Sequence, residues 1–139
     1  MPVFNRLAKA VAKPIPRIVT PQIHSLIDYV SAGVFLGSAA WFWSRNRRAA
    51  VAALICGSTE LALVLLTDYP GGVKKSISFR THRELDYGLA AMVATMPKAL
   101  DFKDDDEKNF FRLQGALITL LGEVTQNGTP IRRSRSRAA

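Results

Sequence analysis

Two long stretches of this chain carry almost no charge, and they limit the possible folds more than any other feature. The segment 29–44 has no charged residue, and the segment 49–67 has only Glu60. A helix needs about 20 mostly apolar residues to cross a bilayer, and both stretches reach that length with their flanks. Trp41 and Trp43 lie at the end of the first stretch, where membrane proteins carry aromatic belts. The sequence therefore predicts a chain that folds within a membrane.

Two shorter apolar stretches, 87–97 and 113–122, follow in the second half of the chain. To span a bilayer, they need flanking Lys, Arg and aromatic side chains that reach the interface. No segment has the alternating β-branched pattern of a strand, and 139 residues suffice for one domain. We predict an all-α, four-transmembrane-helix bundle. A soluble four-helix bundle with an unusually apolar first half is the alternative.

The predicted ends of the helices follow from capping and turn residues. Thr20-Pro21 supplies an N-cap followed by proline at the first helical position. The segment 68–72 holds one proline and two glycines, which end the second helix. Residues 81–84 fit a capping box that would start the third helix. The acidic run 104–107 precedes the fourth helix, and 127–130 closes it.

Both ends of the chain are basic and lie outside the predicted helices. Residues 1–19 form a predicted amphipathic arm, in which Val3 and Leu7 belong to an apolar face suited to the membrane interface. Residues 131–139 form a basic tail beyond the four-helix membrane domain, 20–130. Beside membrane spans, this charge favours anionic lipid headgroups as the partner. No nucleic-acid-binding motif accompanies it, so we expect no nucleic acid partner.

The distribution of Lys and Arg predicts the orientation of the four spans. The two termini and the 68–83 loop would share one side, which holds twelve of the nineteen basic residues. The opposite side holds seven. Because basic residues concentrate on the cytoplasmic side, we predict a multi-pass protein of the cell inner membrane with both termini cytoplasmic.

A triplet of polar residues recurs at an offset of 58 positions, once in each half of the chain. Such a recurrence predicts two tandem helical hairpins, repeat one at 20–72 and repeat two at 78–130. An even number of spans would separate them, so the hairpins would run parallel about a pseudo-twofold axis. The matched pairs are His24 and His82, Asp28 and Asp86, Tyr29 and Tyr87, Ala32 and Ala90, Gly57 and Gly115, Leu63 and Leu121, and Thr67 and Thr125.

Each copy of this His-x-x-x-Asp-Tyr motif is followed by an apolar helix. Ser38-Ala39-Ala40-Trp41 stands near the end of the first, and Met96-Pro97-Lys98 near the end of the second. In these features the sequence resembles the SPW-repeat family of small bacterial membrane proteins, although neither copy keeps the full Ser-Pro-Trp. The stretch 66–70 also resembles that family. The resemblance covers about residues 20–126. It implies a multi-span membrane fold of poorly defined function and supplies no catalytic residues.

Six ionisable residues are predicted to share one layer at the cytoplasmic end of the helices. In each half, a His and an Asp four positions apart lie on one helix face. Ionisable groups at membrane depth are costly, so they usually pair with one another or have a function. The six are His24, Asp28, Asp68, His82, Asp86 and Glu123.

Three interpretations of these polar residues remain open. In the structural interpretation, a His of one hairpin pairs with an Asp of the other and locks the hairpins together. In the second, His24 and His82 bind a haem or a metal ion, although no cofactor is predicted outright. In the third, the buried acid Glu60 takes part in transport or a proton relay.

The most favoured function is that of a structural or accessory subunit in the membrane. No Gly-x-Ser-x-Gly, phosphate-binding loop or dinucleotide fingerprint is present, so nothing in the sequence argues for an enzyme. The only cysteine, Cys56, excludes an internal disulfide. Gly33, Gly37 and Ser38 form a small-residue face that would pack inside the bundle or against another subunit, including a second copy of the chain.

Overall fold

The computed structural model of the protein describes residues 15–127. Most of the predicted arm and the whole tail, 131–139, lie outside this range. The described residues are mostly helical and contain four helices, as predicted, together with two short strands that the sequence analysis did not foresee. The elements are α1 (Pro21–Phe42), α2 (Arg47–Leu66), β1 (Thr67–Asp68), β2 (Ile77–Ser78), α3 (Phe79–Ala99) and α4 (Lys108–Val124).

The helix starts agree with the sequence prediction at α1 but not at α3. The Thr20 side chain accepts a hydrogen bond from the Ile23 amide at 3.4 Å, which is the predicted N-cap. The predicted capping box at 81–84 is wrong by one turn. Ser78 is the N-cap instead, because its hydroxyl accepts from the Thr81 amide at 3.1 Å. An extended Ser78 at the end of β2 brings that oxygen within reach of the first turn.

The helices pack as two hairpins, α1 against α2 and α3 against α4, and α2 also contacts α3. Close approach of α1 and α2 depends on Gly57. A Cβ atom at that position would lie only 2.8 Å from the Cβ of Phe35. The core between the helices is apolar, and its largest fully buried side chains are Phe35, Phe102 and Phe111.

One end of the fold is closed by two short parallel pairings. β1 pairs with β2, with Thr67 opposite Ile77. Val19 forms an equivalent parallel bridge with Thr125, and its amide donates to the Val124 carbonyl at 3.0 Å. The two pairings are related by the same offset of 58 positions. Thr125 stands 58 positions after Thr67, and Val19 stands 58 positions before Ile77. Both ends of the described chain therefore lie at the same end of the fold as the 67–78 connection.

The outer surface of the helices is apolar along their middle, and the charged side chains lie towards the two ends. By length and composition, α1 and α2 are apolar enough to cross a membrane. The shorter apolar stretches of α3 and α4 do not meet that criterion among the described residues. All four helices nevertheless expose large apolar side chains, among them Leu26, Val30, Leu54, Leu85, Leu113, Leu117 and Leu120.

Candidate functional site

Four ionisable side chains are buried together between α1 and α3, at the end of the fold that carries the strands. His24 and His82 are 0% and 1% exposed, and Asp28 and Asp86 are 4% and 6% exposed. Each helix contributes one His and one Asp, and their spacing of four residues places both on its inward face. We call these four residues the His–Asp cluster.

Each imidazole of the cluster lies between two carboxylates. His24 Nε2 is 3.2 Å from Asp86 Oδ2 and 3.3 Å from Asp28 Oδ2. His82 Nε2 is 3.1 Å from Asp28 Oδ2 and 3.3 Å from Asp86 Oδ1. The shorter contact of each histidine crosses from one hairpin to the other. The pairing between hairpins that the structural interpretation expects is therefore present.

The other ring nitrogen of each histidine contacts a threonine of the opposite hairpin. His24 Nδ1 lies 2.7 Å from the hydroxyl of Thr125, directly after α4. His82 Nδ1 lies 2.7 Å from the hydroxyl of Thr67, directly after α2. These threonines stand 58 positions apart in the sequence, but no role was predicted for them. That offset was the signal that would have placed them at the site.

The threonines determine which ring nitrogen carries a proton. Each hydroxyl donates its only proton to a helix carbonyl four residues earlier, at 2.6 Å for Thr67 and 2.5 Å for Thr125. Each must therefore accept a hydrogen bond from the histidine, so Nδ1 carries the proton. In a neutral imidazole, Nε2 then has a free lone pair. The Nε2 lone pairs of both histidines then face carboxylate oxygens. Because lone pairs repel one another, a shared proton or a bound cation is needed between them.

Two aromatic rings separate the cluster from an open cleft. Phe79 makes an edge contact with His24 at 5.4 Å and stacks on His82 at 6.2 Å between ring centroids. The Tyr69 hydroxyl donates to Asp28 Oδ2 at 3.1 Å. Burial and the negative charge of Asp28 raise the pKa of Tyr69, so the phenol stays a proton donor. Both rings also line the cleft.

Two of the six residues predicted for the polar layer lie outside the cluster. Asp68 is exposed, and its Oδ1 lies 3.2 Å from Lys75 Nζ. It follows the inward-facing Thr67 in an extended segment, where successive side chains point in opposite directions. Glu123 is exposed on the outer face of α4 and accepts a hydrogen bond from Tyr87 at 2.7 Å.

The remaining buried acid lies farther along the first hairpin. Glu60 is 4% exposed and accepts a hydrogen bond from Ser31 at 3.0 Å. This bond joins α2 to the facing helix α1. Fifty-eight positions later stand Leu89 and Ile118, and both are buried apolar residues. The first hairpin therefore has a polar pair where the second has an apolar one.

The small-residue face of α1 points away from the other helices. At Gly33 and Gly37, an added Cβ would meet no heavy atom of the described chain within 4 Å. These glycines therefore do not pack inside the bundle, which was one of the two predicted roles. The thiol of Cys56, by contrast, is buried in the core.

Comparison with known proteins gives no match to a family model, to a curated protein or to a solved structure. The likeness to the SPW-repeat family is thus carried by the quoted motifs alone. Any function must be argued from the chemistry of the cluster and from the surface around it.

Proposed function

We propose that this protein is a small, multi-pass integral membrane protein with a structural or accessory-subunit role. The observation that carries the proposal is the exposed apolar surface of every helix. Leu26 is 62% exposed on α1, Leu54 46% on α2, Leu85 41% on α3 and Leu113 57% on α4. In water such exposed apolar surface favours aggregation, whereas lipid tails are as apolar as these side chains.

The ends of the helices support an arrangement across the bilayer. At one end, the guanidinium of Arg45 lies 5.0 Å from the ring centre of the exposed Trp41, and that of Arg47 lies 5.3 Å from Trp43. Indole rings and arginines together are typical of the level of the lipid headgroups. The 22 residues of α1 span about 33 Å, close to the thickness of the hydrocarbon core.

Recurring contacts support the proposal that the hairpins are two copies of one unit, as in the SPW-repeat family. The N-caps Thr20 and Ser78 stand 58 positions apart. The same offset relates the histidines, the aspartates and the threonines around the cluster. In each copy, the histidine contacts the aspartate and the threonine of the other copy. A duplicated hairpin that dimerises within one chain gives this pattern.

The geometry favours a structural role over the alternatives of haem binding and transport. The ring centroids of His24 and His82 lie only 5.5 Å apart, in edge contact, which leaves no slot for a porphyrin between them. The hydrogen bond from Ser31 accounts for the burial of Glu60 without a transported ion. We therefore propose that the cluster joins the two hairpins and that the outer surface meets lipid or another subunit.

The proposal can be tested in native membranes with an epitope-tagged chain. We expect the protein to stay in the pellet after alkaline carbonate extraction and to be released only by detergent. In mild detergent, it should elute with another membrane subunit in a fixed ratio. Release by carbonate would contradict the membrane assignment, and elution as a lone monomer would contradict the accessory-subunit role.

A further inference from the structure

We propose that the His–Asp cluster is a binding site for one divalent transition-metal ion, with zinc as the best fit. The ligands are Nε2 of His24, Nε2 of His82 and one oxygen each of Asp28 and Asp86. One donor atom from each of His24, His82 and Asp86 lies within 4.8 Å of the others. Asp28 completes the set through its contacts with both histidines.

The nitrogen–oxygen distances of the cluster are those expected around such an ion. The four contacts measure 3.1–3.3 Å and involve Oδ2 of Asp28 and both oxygens of Asp86. In a tetrahedral zinc site with bonds of about 2.0–2.1 Å, neighbouring ligand atoms lie about 3.3 Å apart. The nitrogen–oxygen distances therefore suit the ion, which would be held by one of the two Asp86 oxygens.

The surroundings of the cluster hold its ligands in the orientation that a metal requires. A histidine that ligates through Nε2 commonly donates its Nδ1 proton to an oxygen nearby, which fixes the ring. Thr125 and Thr67 accept these two protons. Tyr69 donates to Asp28 and orients that carboxylate. The Nε2 contacts alone would be enough for hydrogen bonds that join the hairpins. The threonine contacts go further, because they orient both Nε2 atoms towards one centre, as a metal site requires.

The charge and type of the ligands select the kind of ion. Two aspartates and two neutral imidazoles carry a charge of about −2, so a divalent cation gives a neutral buried site. The ion takes the place of the protons that otherwise lie between Nε2 and carboxylate, and those protons pass to water. Two nitrogens and two oxygens without thiolate suit zinc, whereas Mg²⁺ and Ca²⁺ prefer six or more oxygens.

The site would be structural rather than catalytic. Four protein ligands fill a tetrahedral zinc shell and leave no position for substrate. Two ligands come from α1 and two from α3, so the ion joins the hairpins directly. The cleft ends at Tyr69 and Phe79, so an ion from solvent would enter by displacement of these two rings. This inference does not depend on the membrane assignment, because the cluster is closed within the chain.

Metal binding can be measured on the full chain after purification in detergent and removal of metals with a chelator. Dialysis against Zn²⁺ should leave one ion per chain and raise the melting temperature, because the ion binds only the folded state. Co²⁺ should bind in its place and give the intense visible bands of tetrahedral nitrogen–oxygen coordination. A helical parent protein that retains no zinc, or a Co²⁺ spectrum of octahedral type, would overturn the proposal.

Paired variants separate this site from adventitious binding. Asp86→Asn keeps the shape of the side chain, His24→Gln replaces the ring with a polar side chain of similar length, and both should abolish stoichiometric binding. The controls Asp68→Asn and Glu123→Gln change exposed acids and should bind zinc as the parent does. Thr125→Val keeps all four ligands and should weaken binding by about 10–100-fold. Equal binding by the parent and the cluster variants, or equal loss in the controls, would overturn the proposal whatever the outcome of membrane extraction.

Discussion

At the scale of single residues, the His–Asp cluster concentrates charge in a buried place, and every member depends on the others. Asp28 contacts both histidines and the Tyr69 hydroxyl, whereas Asp86 contacts the two histidines. Removing one partner from a buried set leaves the remaining charges without compensation, which costs more than the set contributes as a whole.

We predict that Asp86→Ala lowers the free energy of unfolding by about 3–5 kcal/mol, because it leaves two buried imidazoles to share the single carboxylate of Asp28. The control Asp68→Ala removes an exposed acid paired only with Lys75 and should cost less than about 1 kcal/mol. Thermal unfolding in detergent, followed by circular dichroism with a chelator present, compares the two. Equal melting temperatures would show that the cluster does not hold the hairpins together.

A second prediction uses the difference between the hairpins. Ser31→Leu alone removes the hydrogen bond to the buried Glu60 and should destabilise the protein by about 1–3 kcal/mol. The double variant Ser31→Leu with Glu60→Ile copies the apolar pair Leu89 and Ile118, and we expect it to recover most of the lost stability. A double-mutant cycle of unfolding measures the coupling. Additive losses would mean that the two hairpins do not pack alike at this level.

At the scale of helices, the packing of α1 on α2 depends on one glycine. We predict that Gly57→Ala costs about 1–3 kcal/mol, because the added methyl would lie 2.8 Å from Phe35 Cβ. Gly37→Ala is the matched control, since its methyl meets no described atom and alanine favours helix. The melting temperature of the control should equal or exceed that of the parent. A loss of the same size in both variants would contradict the close packing of Gly57 on Phe35 as the cause.

The apolar stretches and their caps were sufficient to predict four helices in this order. The start of α3 was missed because the position of Ser78 depends on the pairing of β2 with β1. This pairing joins Thr67 to Ile77, ten positions apart, and no periodic pattern in the sequence indicates it. The apolar stretches of α3 and α4 are also too short to establish spans from composition. Local sequence therefore determines which segments are helical, and contacts across the chain determine where they begin.

The core of the candidate site followed from spacing, but its surroundings did not. A His and an Asp four apart, repeated 58 positions later, predicted the four residues of the cluster. Thr67 and Thr125 share that offset, but they were given no role, because a threonine at the end of an apolar helix has many ordinary roles. Tyr69 reaches the cluster from an irregular loop. Asp68 was assigned to the site wrongly. In an extended segment neighbouring side chains point in opposite directions, so Thr67 reaches the cluster and Asp68 points away from it.

At the scale of the whole molecule, the proposed sidedness follows from the connections. Both ends of the described chain and the 67–78 connection lie at the end that holds the cluster, and the 43–46 and 100–107 turns lie at the other. If all four helices cross the bilayer, these two ends face different compartments. The exposed apolar surface then meets lipid along its full length.

The most direct test labels single cysteines at the two ends with an impermeant maleimide, in a Cys56→Ala background and in sealed, right-side-out vesicles. Lys74 and Lys103 are exposed and lie at opposite ends, so each can be replaced by cysteine without disturbing the core. We predict that Lys103→Cys is labelled in intact vesicles and Lys74→Cys only after the vesicles are opened. Labelling of both from the same side, or recovery of the protein in the soluble fraction, would contradict the four-span arrangement.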